Sequence, residues 1–146
     1  MNRIAEKSMR LEVITTYGCN ALCQHCDRAV GYAKFPGTDL TAEQMQRATD
    51  QLIEQNIKVD RVSISGGEPI MNKELQGIID QAVRVPCRSH KRSSVRILTN
   101  DMPRTKPLRD KIQLVKGVSW SPNPLDDPLN PKSGKNDKSK RFRVHF

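Results

Sequence analysis

Apolar and β-branched positions recur along the chain in two alternating rhythms. Leu11 to Thr16 (LEVITT) is rich in β-branched side chains and predicts a first strand. From Thr41 the period changes. Thr41 and Gln44 form a capping-box pair, Leu40 and Met45 flank it as a hydrophobic staple, and Met45, Ala48, Leu52 and Ile53 recur on one face. This predicts a first helix ending near Asn56. Val59 to Ser65 reads as a second strand. Leu75, Ile78, Ile79, Ala82 and Val83 follow an i, i+3, i+4, i+7, i+8 pattern, which predicts a second helix from about Asn72, ended by Pro86. Val95 to Asn100 is a third strand. Pro107 suits the first turn of a third helix with Leu108, Ile112 and Val115 on one face, stopped by Gly117, and Val118 to Ser121 is a short fourth strand.

Strand and helix alternating in this way predict right-handed βαβ units and a parallel sheet, an α/β fold of about three and a half to four βα units. In such sheets the working residues gather at the carboxyl ends of the strands. Each candidate motif sits there: a cysteine cluster after the first strand, Gly-Gly-Glu-Pro after the second, Thr99-Asn100 after the third, Ser121 after the fourth.

Composition narrows the setting. The chain has 146 residues and a net charge of +9, which invites a nucleic-acid reading. Its distribution weakens that reading, because residues 131–146 carry six Lys/Arg against one Asp and so hold +5 of the total. We divide the chain into a core, residues 1–130, and a basic arm, residues 131–146. A solvated arm is favoured over a nucleic-acid contact, since only Phe142 and Phe146 interleave with its charges. Within it, Arg141 to Phe146 alternates enough for a fifth short strand. No apolar run approaches the ~20 residues of a membrane span, and the first residues lack the apolar core of a signal peptide. The expected compartment is the cytoplasm, where clustered thiols favour metal over disulfides.

Cys19, Cys23 and Cys26 stand in C-x3-C-x2-C spacing in a turn that follows Gly18. Three soft thiolates around one point suit an iron–sulfur cluster or a zinc ion. A closed structural zinc site wants four ligands, whereas three leave a position open for chemistry. The remaining candidates for a fourth zinc ligand fit poorly: His25 adjoins Cys26, and Cys87 lies in an unrelated loop, where an ordinary thiol is the simpler reading.

C-x3-C-x2-C after a first strand, together with Gly66-Gly67-Glu68-Pro69 after a second, resembles the radical S-adenosylmethionine (radical SAM) superfamily. The resemblance runs from about Leu11 to Pro122. It implies a partial (βα) barrel of radical SAM type, in a short or truncated form. It implies that Cys19, Cys23 and Cys26 ligate a [4Fe–4S] cluster whose fourth iron is chelated by S-adenosyl-L-methionine. One electron would cleave that cofactor to methionine and a 5′-deoxyadenosyl radical, which abstracts hydrogen from a substrate. By the same resemblance His25 lies beside the adenine. Gly66 and Gly67 let the backbone approach the methionine portion, Glu68 receives its ammonium group, and Pro69 stiffens the turn. Asn100 and Ser121 contact the cofactor, although Asp101 replaces a Gly expected after Thr99-Asn100. No catalytic residue beyond cluster and cofactor is implied.

The resulting expectation is an oxidoreductase-type radical SAM enzyme, with a flavodoxin- or ferredoxin-type reductant and an unidentified small-molecule or protein substrate. An activase of a protein partner and an enzyme of small nucleobase precursors fit the size. The alternatives are a non-catalytic iron–sulfur module and a zinc-binding module, either using the basic arm to contact a partner or nucleic acid. His90 and His145 have no partner pattern, Trp120 reads as core, and the Arg88–Arg96 cluster reads as a solvated loop rather than a substrate clamp.

Overall fold

The computed structural model describes residues 9–21, 39–88, 94–100 and 105–122. The elements run β1 (Arg10–Ile14), α1 (Ala42–Glu54), β2 (Arg61–Ser65), a 3-10 turn (Pro69–Met71), α2 (Leu75–Ala82), β3 (Val95–Thr99), α3 (Lys106–Arg109) and β4 (Val118–Pro122). The four strands are all parallel and lie in the order β1-β2-β3-β4. Chain order and spatial order coincide. With right-handed crossovers, this order puts successive helices on one side of the sheet, as in a barrel, and not on both sides as in a doubly wound sheet. The alternation read from the sequence is therefore realised as a partial βα barrel.

The core lies between that sheet and the helices. Val13, Val62, Ile64, Val95, Ile97 and Val118 point from the strands toward Met45, Leu75, Ile78, Ile79 and Ala82, and all are buried. Each fully buried Ile or Leu contributes about 1.5–3 kcal/mol relative to exposure. Trp120 packs against this cluster while half-buried, as expected of a core residue. The other face of the sheet is polar. The register aligns Glu12, Ser63, Arg96 and Ser119 in one row, with Arg10 beside Arg61 toward the amino end. Ile14, Ser65, Leu98 and Ser121 form the row toward the carboxyl end.

α1 starts where the capping box places it. Thr41 accepts from Gln44 N at 3.1 Å, and the Gln44 side chain accepts from Thr41 N at 2.9 Å. Asn56, at φ 52°, follows its end. Three expectations need correction. β2 begins at Arg61, because Val59 instead bridges Cys87: Val59 N donates to Pro86 O and Arg88 N donates to Val59 O. α2 begins at Leu75, because Pro69–Met71 form a separate 3-10 turn capped by the Glu68 side chain. The third helix is a single turn. After Arg109 the backbone closes i to i+3 bonds (Lys111 N to Leu108 O, Ile112 N to Arg109 O), so only Ile112 reaches the core while Leu108 and Val115 stay exposed. The basic arm and the fifth-strand expectation lie outside the described residues. Among the described residues, no helix is long and apolar enough to cross a membrane.

Candidate active site

At the carboxyl ends of β1 and β2 the two motifs are joined backbone to backbone. Gly67 N donates to Thr16 O and Glu68 N donates to Gly18 O, each at 2.8 Å. The two glycines make this contact possible. A Cβ on Gly66 would stand 2.5 Å from Thr16 O, and the residue has φ +153°. A Cβ on Gly67 would stand 2.1 Å from Gly18 O and 3.1 Å from Cys19 Cβ. Any side chain there would push the cysteine loop off its seat. The bare face of the Gly-Gly turn is thus filled by this chain's own Thr16, Gly18 and Cys19.

Glu68 is fully buried, and both carboxylate oxygens bond within the protein. Oε1 accepts from Thr99 Oγ1 at 2.9 Å and from Ile70 N at 3.3 Å; Oε2 accepts from Asn100 N at 2.7 Å. A buried carboxylate must be matched by donors, and here the end of β3 supplies them. The expected ammonium partner would have to share these oxygens. Asn100 carries the connection onward, its Nδ2 donating to Asn20 Oδ1 at 2.8 Å, next to Cys19. Pro69, buried, opens the 3-10 turn that starts at the glutamate. Glu68 and Asn100 therefore tie together the ends of β2 and β3 and the cysteine loop.

The loop is gathered at its base. Leu40 N donates to Thr15 O at 2.9 Å, and Thr16 Oγ1 donates to Asp39 Oδ1 at 2.6 Å. The buried Asn72 amide spans both sides, donating to Thr15 O at 2.7 Å and Leu40 O at 2.9 Å. Asn20 and Asn72 escaped the sequence reading. Each acts through partners 30 to 80 positions away, and nothing in the local pattern marks them.

Of the expected metal ligands, Cys19 is a half-buried thiol at this junction, while Cys23, Cys26 and His25 lie outside the described residues. Three thiols within eight residues, the first seated on the Gly-Gly-Glu-Pro turn, form a donor set that fits an iron–sulfur cluster. Among the described residues no group of three His, Cys, Asp or Glu side chains is placed to hold a metal ion. Ser121 lies inside β4, in register with Leu98, on the polar face. Cys87 is remote, at the bridge to Val59; burial pushes its thiol pKa up, with Asp60 adding to the rise and a hydrogen bond with Ser94 opposing it.

A parallel sheet in barrel order, with the segment that carries Cys19 bonded to a Gly-Gly-Glu-Pro turn at its carboxyl end, defines an α/β protein of partial-barrel type. The sequence profile of the radical SAM superfamily matches residues 13–123. The chain belongs to that superfamily. Similar curated proteins include a GTP 3′,8-cyclase of Peptoclostridium acidaminophilum, 31% identical over 70 residues, which are 47% of this chain and 21% of that protein. The proteins named GTP 3′,8-cyclase 3 of Mycobacterium bovis and Mycobacterium tuberculosis are each 33% identical over 73 residues, 49% of this chain and 18% of theirs. The chain spans about a fifth of the length of the curated relatives it matches.

Proposed function

We propose that this chain forms the cluster- and cofactor-binding part of a radical SAM enzyme. Cys19, Cys23 and Cys26 would hold a [4Fe–4S] cluster, with one iron left for the amino and carboxylate groups of S-adenosylmethionine. Bound there, the cluster supplies the electron for reductive cleavage of the cofactor and hydrogen abstraction from a substrate. The protein's own part is positioning. Gly66 and Gly67 give the cysteine loop its seat, Glu68 fixes the turn to Thr99 and Asn100, and Asn100 steadies the loop through Asn20. His25 and Ser121 remain candidate cofactor contacts. The core spans residues 1–130 with a basic arm at 131–146, and a flavodoxin- or ferredoxin-type reductant in a reducing cytoplasm suits such a site.

The observation that carries this reading is the pair of 2.8 Å bonds joining the cysteine loop to the Gly-Gly-Glu-Pro turn. It rests equally on the full three-cysteine spacing. The test is anaerobic purification and reconstitution with iron and sulfide, then reduction with dithionite in the presence of S-adenosylmethionine. The expected result is about four irons and four sulfides per chain and release of 5′-deoxyadenosine, with cluster loading lost in Cys19→Ala. Colourless protein with stoichiometric zinc, or a loaded cluster that yields no 5′-deoxyadenosine, would sink it.

A further inference from the structure

Among the described residues the sheet has two edge strands, β1 and β4. Helices cover one of its faces, whereas an all-parallel sheet is ordinarily covered on both. Parallel strands in barrel order meet that need by closing on themselves, and eight strands suffice. Closure also removes the edges. A second copy of this sheet supplies the other four strands.

The two ends of the molecule are unlike and complementary. At the β1 end an apolar groove of about 400 Å³ opens between β1 and α1, lined by Leu11, Val13, Leu40, Ala48 and Leu52. At the β4 end Trp120 lies on the same, helix-covered side of the sheet, in register with Ile97, and its own core only half buries it. Leu108, Leu114 and Val115 stay exposed in the connection from α3 to β4. The Gln76 side chain holds that connection on α2: its Nε2 donates to Gln113 O at 3.1 Å, and its Oε1 accepts from Gln113 N at 2.8 Å. The charges differ in the same sense. In α1 and the residues leading into it, Asp39, Glu43, Asp50 and Glu54 stand against Arg47, and Arg84 of α2 pairs with Asp50 at 2.7 Å, which leaves the β1 end at −2. Lys106, Lys111 and Lys116 are exposed on the way to β4 against Asp110, which is +2 before Arg109 is counted. Opposite charges at the two ends favour a head-to-tail approach and oppose a head-to-head one.

We propose that two copies of this chain associate edge to edge, β4 of each beside β1 of the other, and close an eight-stranded parallel barrel about a twofold axis. Trp120 and the apolar connection of one copy then meet the groove between β1 and α1 of the other. The closure bears on the candidate active site. Ser121 is three strands from β1 in its own copy but adjoins β1 of the second copy, whose carboxyl end leads into the cysteine segment. Each site is thereby bounded by β4 of the other copy. The association follows from the sheet and its charges and does not rest on the radical SAM reading.

The test is sedimentation velocity of the full chain over a range of concentrations, with the emission of Trp120 followed in parallel. The expected result is a monomer–dimer equilibrium that salt weakens, and a blue shift of Trp120 on association. Ala48→Arg, at an exposed position of the groove, should raise the dissociation constant at least tenfold. Lys111→Glu and Glu54→Lys should each weaken self-association. An equimolar mixture of these two variants should recover it, because both contacts of the mixed dimer again join opposite charges. Circular dichroism of each variant establishes that it is folded. A chain that stays monomeric throughout overturns the proposal, and that is the outcome if its own basic arm covers β4. So do species larger than a dimer, a dimer indifferent to Ala48→Arg, or a mixture that associates no better than either variant alone.

Discussion

Replacing Glu68 with Gln and with Ala separates a structural lock from a ligand that waits for a cofactor. Glu68 accepts from Thr99 Oγ1, Ile70 N and Asn100 N while fully buried. In Glu68→Gln the amide oxygen can take the Asn100 N–H, and the amide nitrogen can donate to Thr99 Oγ1, whose hydroxyl rotates to accept. What disappears is the charge assistance of these bonds and the acceptor for Ile70 N, which then faces the amide nitrogen, at about 1–2 kcal/mol together. Glu68→Ala leaves the buried Asn100 N–H without its acceptor, about 1–3 kcal/mol, and opens a cavity, bringing its expected cost to about 3–5 kcal/mol. That approaches the whole stability of a small domain, about 5–15 kcal/mol. Urea unfolding followed by the fluorescence of Trp120, the single tryptophan, measures both. Adding Thr99→Val to Glu68→Gln strands the amide nitrogen, so the double variant should fall below the sum of the single changes. Equal stabilities for Glu68, Gln and Ala would refute the lock and return the carboxylate to the role of a cofactor contact.

Other consequences follow from single residues. Gly67→Ala sets a Cβ 2.1 Å from Gly18 O, so it should lower iron loading after reconstitution and shift the urea midpoint downward, both read on the same preparation. Thr41→Ala removes the α1 cap and should cost about 1 kcal/mol in urea unfolding without altering iron content. The Cys87 thiol pKa is raised chiefly by burial and secondarily by Asp60, so Asp60→Asn should lower it. More thiolate is then present at pH 8, and alkylation of the Cys87 peptide, followed by mass spectrometry, should accelerate there. An unchanged or slower rate would contradict the stated electrostatics.

The elements with strong local signals were legible in the sequence. α1 carries its cap, staple and apolar face within fifteen residues, and the structure reproduces the capping box and buries Met45, while Ala48 and Ile53 stay exposed and Thr49 is buried in their stead. All four strands lie within two residues of their predicted limits, because β-branched runs between turn signals leave little choice; β2 starts two residues later than read. The third helix was overcalled: Leu108 and Val115 have helical spacing, but the sheet offers only Ile112 a place to bury. The motifs of the site were readable, whereas the bonds between them were not. Glu68 to Thr99 and Asn100, and Asn100 to Asn20, join residues 31 to 80 positions apart, and no periodicity encodes such pairs. Arg96 was set aside with a basic loop. Only the register across four strands puts it on a face with Arg10 and Arg61.

Asn72 closes the base of the cysteine loop with one side chain, holding Thr15 on one side and Leu40 on the other. One amide thus fixes both ends of the segment between Thr15 and Leu40 to the same point of the scaffold. Lengthening that segment costs little, since each doubling of a flexible loop adds only about 0.6 kcal/mol of closure entropy. The length of chain between Thr15 and Leu40 can therefore vary while both of its anchor points stay held by Asn72.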